Sequence, residues 1–326
     1  MKNSMKKAVI IALVGMLCVS GVFANGSKEA ASSASKTYKV GVCQLVQHPA
    51  LDQATQGFQD AIKRAMGDGV KFDVQNASGD SATCITIVNG FVSSNDDLIM
   101  CNATPALQAA QAATGTIPVL GTSVTDYGSA LGITLKADGS TGINISGTSD
   151  LTPLDKQAQM FKELLPNAKT IGILYCTAEA NSVYQANEIE KDLKALGYKT
   201  VRCTFTDSND VASVVADACT KVDALYIPTD NTAASCTESI RNVVEPAKMP
   251  VIAGEEGICV GCGVATLSID YYNLGYATGE QAVKILTEGA DVSKMPIIVG
   301  PNPVYKYNAD LCKVMGVTVP ANYVAL

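Results

Sequence analysis

Apolar positions along this chain switch repeatedly between two periods. Residues 38–42 read as an apolar strand, and Leu51, Ala54, Phe58, Ile62 and Ala65 then recur at the spacing of a helix with one buried face. Val70, Phe72 and Val74 alternate, as on a strand with one side buried. Residues 97–101 make the next short apolar strand, a helix is expected over 105–113, and residues 117–120 are strand again. Strand and helix in alternation predict a parallel sheet with helices on both faces.

The order then recurs. TIGILYC at 170–176 corresponds to KVGVCQ at 39–44, and Val183, Ala186, Ile189, Leu193 and Leu196 make the helix after it. DALYIP at 223–228 answers DLIMCN at 97–102, and MPVIAG at 249–254 answers IPVLG at 117–121. Val40 and Ile117 are 77 positions apart, Ile171 and Met249 78, so the halves keep register through three strand-helix units. One lobe has been built twice. The fold class is therefore α/β, with two doubly wound parallel-sheet lobes.

Further on, residues 263–269 form a strand, and Tyr271, Leu274, Ala277, Ala282 and Ile285 keep helical spacing that carries the chain back to the first lobe. A last strand over 297–299 and the tail return to the second. Crossings near Gly147, Asp270 and Met295 predict a three-strand hinge, with lobe 1 at 38–147 and 270–294 and lobe 2 at 148–269 and 295–326. Open parallel sheets bind ligands beyond the carboxyl ends of their strands, where helix N-termini offer free N–H groups. The cleft is then expected at 44–49, 101–105 and 121–127 of one lobe and 176–182, 229–232 and 255–257 of the other.

The N-terminus changes the setting. Lys2, Lys6 and Lys7 precede an apolar stretch too short to span a bilayer, and Val22 and Ala24 stand where a signal peptidase wants small residues. Residues 1–24 read as a signal peptide, cleaved before Asn25, and residues 25–37 as a flexible tether. Cys18 opens a rival reading, a lipid-anchored cysteine, against which bulky Leu17 counts. An extracytoplasmic, periplasmic setting follows. Net charge is −7, with no like-charged block in the mature chain, which argues against nucleic acid. Four of the eleven cysteines, Cys43, Cys101, Cys176 and Cys203, fall in or at the ends of apolar strand runs, so most are expected as free, buried thiols. Cys259 and Cys262 form a lone C-x-x-C. With no second pair and His48 as sole histidine, it reads as a turn rather than a metal or redox site, and neither metal nor cofactor is expected.

Several segments resemble, in order and spacing, a known family. They are HPALD at 48–52, ATPA at 103–106, TSVTD at 122–126, PNAKTIGILY at 166–175, EANS at 179–182, PTDN at 228–231 and IDYYNLG at 269–275. The sequence is similar to the type I periplasmic substrate-binding proteins of ABC transporters, in the branch associated with tryptophan, tyrosine and phenylalanine. That resemblance implies a Venus-flytrap fold, a small amino-acid-like ligand, a membrane permease as partner and no enzymatic activity. The cleft residues suit a zwitterion independently. Helix-start N–H groups with Thr104, Ser123, Thr125, Asn181 and Ser182 could hold a carboxylate, and Glu179, Asp230 and Asp270 an ammonium. Gln44, His48, Pro105 and Asn231 complete the expected ligand-binding set, with capping as the competing role for Glu179, Asp230 and His48. A single histidine and no G-x-S-x-G elbow argue against a hydrolase, and the chain is expected to be a monomer. A sensory ligand-binding protein reporting to a membrane receptor remains open beside transport.

Overall fold

The computed structural model describes residues 36–326. The signal peptide, its cleavage site, Cys18 and all but the end of the tether lie outside the described residues. The first half runs β1 (Tyr38–Gln44), α1 (Pro49–Met66), β2 (Val70–Asn76), α2 (Ser81–Ser93), β3 (Leu98–Asn102), α3 (Thr104–Ala113), β4 (Val119–Val124), α4 (Tyr127–Leu131) and β5 (Ile145–Ser149). The second runs α5 (Leu154–Leu164), β6 (Thr170–Cys176), α6 (Ala180–Ala195), β7 (Lys199–Phe205), α7 (Val211–Ala218) and β8 (Ala224–Ile227). It continues with α8 (Asn231–Ser235), α9 (Thr237–Val244), β9 (Val251–Ala253), α10 (Glu256–Cys262) and β10 (Ala265–Ser268). The chain ends in α11 (Tyr271–Glu288), β11 (Ile298–Val299), β12 (Val304–Tyr307), α12 (Ala309–Met315) and β13 (Val324–Ala325).

The strands form two sheets, in the orders β11-β5-β4-β3-β1-β2 and β13-β12-β10-β9-β8-β6-β7. Without the added edge strands the orders coincide, β5-β4-β3-β1-β2 against β10-β9-β8-β6-β7, so the repeat in the sequence is a repeat in topology. Each sheet is buried on both faces. Along β3, Ile99 and Cys101 enter one apolar cluster while Leu98 and Met100 enter the other, the two-residue alternation of a central strand. The second sheet is sandwiched in the same way by two further clusters.

Two expectations need correction. The crossings fall later than residues 147 and 295, because Thr148 and Ser149 belong to β5 and pair there with Ile298 and Val299 of the first sheet. These two buried polar residues carry no hydrophobic signal to mark the strand. The second sheet is also not wholly parallel. The chain re-enters it beside the carboxyl end of β10, where Val304 pairs with Ser268, so β12 has to run antiparallel.

Helix α1 starts at Pro49, in the first turn where a missing N–H costs nothing. It buries Leu51, Ala54, Phe58 and Ile62, and packs against α11 along a seam of glycines. A Cβ on Gly57 would collide with the Tyr272 carbonyl, and one on Gly275 with that of Ala54. That close approach sets the N-terminal ends of α1 and α11 side by side, and with them His48 and Tyr271. The ten cysteines among the described residues are free, and eight are buried.

Candidate ligand cleft

The carboxyl ends of both sheets face one another, and a narrow cavity of only about 10 Å³, room for about one water, lies between them. Its walls are His48, Leu51, Ser123, Asp150 and Tyr271 on one side and Thr229, Asp230, Asn231, Ala234 and Glu255 on the other. Every one of these residues is buried. Hydrogen bonds span the lobes here: Thr125 Oγ1 lies 3.3 Å from Thr229 Oγ1, Gln185 Nε2 donates to Thr125 Oγ1 at 3.2 Å, and His48 Nε2 lies 3.3 Å from Asn231 Oδ1.

Three carboxylates line the cavity, Glu179 lies just behind it, and no lysine or arginine is among the lining residues. Their hydrogen bonds separate them into two kinds. Asp230 Oδ1 accepts from Ala233 N–H and Oδ2 from Cys176 N–H, so it caps α8 and ties that helix to β6. Glu179 does not cap its own helix. Its carboxylate reaches across to α8, taking the backbone N–H groups of Asn231 and Thr232 and the side chains of Asn231, Thr232 and Asn181. Glu179 is fully occupied, and Asp230, with the Ser182 side chain as a third donor, has about one acceptor site left.

Asp150 and Glu255 keep acceptor capacity. Asp150 is met by two hydroxyls, Tyr271 Oη at 2.9 Å and Thr125 Oγ1 at 3.1 Å, and Glu255 caps α10 through the N–H groups of Gly257 and Ile258. A carboxylate has about four lone-pair sites, so each has roughly two to spare. Burial pushes the Asp150 carboxyl above its ordinary range and that of Glu255 up to about 7, with Glu256 and then Asp150 as further charges near Glu255. Burial, with Glu179 nearby, raises Asp230 as well. Such a set lacks a cation.

Around these acids, several polar groups are left free. Helices α4, α8, α10 and α11 are capped by Asp126, Asp230, Glu255 and Asp270, whereas α3 follows Ala103, which has no side chain to cap with. Thr104 Oγ1 and Ser123 Oγ are buried without a partner in the protein, as are His48 Nδ1 and Asn181 Oδ1. Ala103 and Ser123 also hold φ values of 92° and 54°, rare for residues with a side chain. Strain of that kind at two adjacent strand ends is typical of a binding site.

Residues 39–325 match the family described as ABC transporter substrate binding protein. The chain belongs to that family. A tyrosine-binding protein of Clostridioides difficile (strain R20291) is 37% identical over 321 residues, spanning 95% of this chain and 92% of the relative. Among solved structures, a Streptococcus pneumonia ABC domain in complex with L-Trp is 33% identical, with a TM-score of 0.84 over 88% of this chain and 97% of that one. The ligand-free, open form of a Clostridium difficile substrate-binding protein with adhesive properties is 38% identical, yet its TM-score is 0.67 over 89% and 99%. Higher identity with a poorer overlay places the lobes of this chain nearer the arrangement of the tryptophan complex than that of the open form.

Of the residues named from the sequence, His48, Ser123, Asp230 and Asn231 line this substrate-binding protein's cavity. Thr125, Glu179, Asn181 and Ser182 are buried behind it and bond to its lining residues, Ser182 to Asp230, while Thr104 is buried at the start of α3. Pro105 lines an outer hollow shared with Glu179 and Asn231. Gln44 is spent inside lobe 1, on Asp52, Val46 and Thr55. Asp270 is exposed and caps α11 through Asn273 N–H, so it does not join the cavity. Sequence reasoning missed Asp150 and Tyr271 altogether and took Glu255 only as part of a segment. Asp150 directly follows β5, and a strand-end rule applied to that strand finds it.

Proposed function

We propose that this substrate-binding protein captures an aromatic amino acid outside the cytoplasm and delivers it to an ABC permease, without acting on it chemically. One observation carries the reading: the narrow inter-lobe cavity is lined by the spare carboxylates of Asp150 and Glu255, with no lysine or arginine among its lining residues, and by the unpaired hydroxyl of Ser123. An α-amino acid supplies both complements. Its ammonium fits between Asp150 and Glu255, where a positive charge offsets the cost of burying both acids. Its carboxylate fits the hydroxyls of Thr104 and Ser123 and the uncapped N-terminus of α3, a ten-residue helix. Leu51 and Ala234 supply apolar wall, and so narrow a cavity has to widen by movement of the lobes to admit a ring. The relatives named for tyrosine and bound to tryptophan support the aromatic class, and the uncharged donor set supports binding rather than catalysis.

A thermal-shift panel of the L-amino acids, followed by calorimetry of those that act, tests this. Tyrosine, tryptophan or phenylalanine is expected to raise the melting temperature most, since a ligand bound only by the native state stabilises it by mass action. A panel in which sugars or nucleobases shift the protein and aromatic amino acids do not would sink the reading.

A further inference from the structure

The polarity of the cavity wall at His48 follows from a chain of hydrogen bonds. The Glu179 carboxylate can only accept, and Asn231 Nδ2 donates to its Oε2 at 2.6 Å, which fixes the Asn231 amide with Oδ1 turned away. His48 Nε2 lies 3.3 Å from that oxygen and must therefore carry a proton. The ring is 6% exposed, and burial lowers its basicity, outweighing the bond to Asn231 and the charges of Glu179 and Asp52. A neutral ring protonated at Nε2 has a bare lone pair on Nδ1, and Nδ1 is buried with no partner in the protein. Nor is the ring spent on its own helix. His48 is held extended before Pro49 and makes no side-chain cap. Leu51 and Ala234, one turn along from His48 and Asp230, flank it with apolar surface.

We propose that Glu179, Asn231 and His48 form a relay that presents a hydrogen-bond acceptor, His48 Nδ1, to the ligand's side chain, selecting aromatic amino acids whose ring carries a donor over phenylalanine. A phenolic O–H and an indole N–H both satisfy it. Phenylalanine would leave a buried acceptor unpaired, which typically weakens binding between about fivefold and a hundredfold. Glu179 and Asn231 act here as positioning residues, through the tautomer they impose. Because His48 belongs to lobe 1 and the other two to lobe 2, the relay is complete only when the lobes meet.

This inference rests on the aromatic reading above, and two measurements on the full mature chain separate them. His48 is the sole histidine, so ¹⁵N spectra of histidine-labelled protein report this ring alone. A neutral ring protonated at Nε2 is expected, with the Nδ1 resonance moving on addition of tyrosine or tryptophan and staying put with phenylalanine. A charged ring, or one protonated at Nδ1, overturns the relay whatever the ligand. Calorimetry of the three amino acids should then show phenylalanine at least fivefold weaker than the better of the other two, and that ratio falling to within twofold in His48→Leu and narrowing in Asn231→Leu. Equal affinity for all three, or a ratio that survives His48→Leu while every affinity drops by one factor, refutes the relay and leaves the aromatic reading intact. If none of the three binds, the aromatic reading fails with it.

Discussion

Replacing Asp150 by asparagine should cut ligand affinity without harming the fold. Its carboxylate is buried, holds only the hydroxyls of Tyr271 and Thr125, and faces the cavity beside Glu255. Asparagine keeps the shape and one acceptor oxygen, so at least one hydroxyl retains its partner. What goes is the charge opposite the ligand's ammonium, and losing one member of a buried, hydrogen-bonded charge pair costs about 2–5 kcal/mol, roughly thirtyfold to several thousandfold in Kd. Stability should move the other way. Burial raises the Asp150 carboxyl, so ionised Asp150 is a burden on the folded protein near neutrality, and Asp150→Asn removes it. Calorimetry with the ligand that gives the largest thermal shift, beside denaturant melts without ligand, measures both. Binding within threefold of the parent, or stability and affinity falling together, refutes the assignment of Asp150 to the ammonium.

Three further outcomes are expected. The Glu255 carboxyl, raised from 4.5 to about 7 by burial, makes the folded chain bind more protons than the unfolded one between those values, so stability without ligand should fall as pH rises through that window; greater stability at pH 8 than at pH 5 in urea melts contradicts it. Gly275→Leu should destabilise by about 1–3 kcal/mol or more by forcing α11 off α1, whereas Gly90→Ala, where an added Cβ meets nothing within 4 Å, should stabilise by about 0.5–1 kcal/mol; equal effects in thermal melts would show that the α1–α11 seam is not tight. A tyrosine analogue lacking the ammonium should bind far more weakly than tyrosine at pH 8, with the gap narrowing at pH 5 as protons take the ammonium's place; a gap that does not change with pH argues against the carboxylate pair.

The strands were legible because their central residues are apolar on both faces, and the duplication because βα units conserve spacing. The cleft was legible at the level of segments, since strand ends in a parallel sheet converge by topology alone. Roles within it were not. Glu179 and Asp230 look alike in sequence, each an acid at a helix start, yet Asp230 caps its own helix while Glu179 caps one 52 positions along the chain. Whether such an acid is occupied or spare depends on donors that are distant in sequence. Asp150 was hidden for a related reason: the strand before it ends in buried Thr148 and Ser149, whose hydroxyls are satisfied by Thr278, Thr122 and the Thr125 carbonyl, so hydropathy does not mark the strand and only a crossing near Gly147 can be read there.

The arrangement of occupied and spare acids bears on how the lobes respond to ligand. Glu179 is satisfied within lobe 2, so closure asks little of it, whereas Asp230 is raised by burial. Asp150 and Glu255 both line the cavity, and every step of closure removes them further from water. The direct bonds between lobes at this site are long, 3.2–3.3 Å, and each is worth about 0.5–1.5 kcal/mol net. Charge burial of several kcal/mol per ion can outweigh so few bonds. An ammonium between the two acids reverses the sign of that contribution, and a ligand shifts an equilibrium only by its differential affinity for the two states. Closure is thereby made conditional on a positive charge in the ligand, while the proposed relay through His48 and Asn231, from opposite lobes, makes it conditional on a hydrogen-bond donor as well.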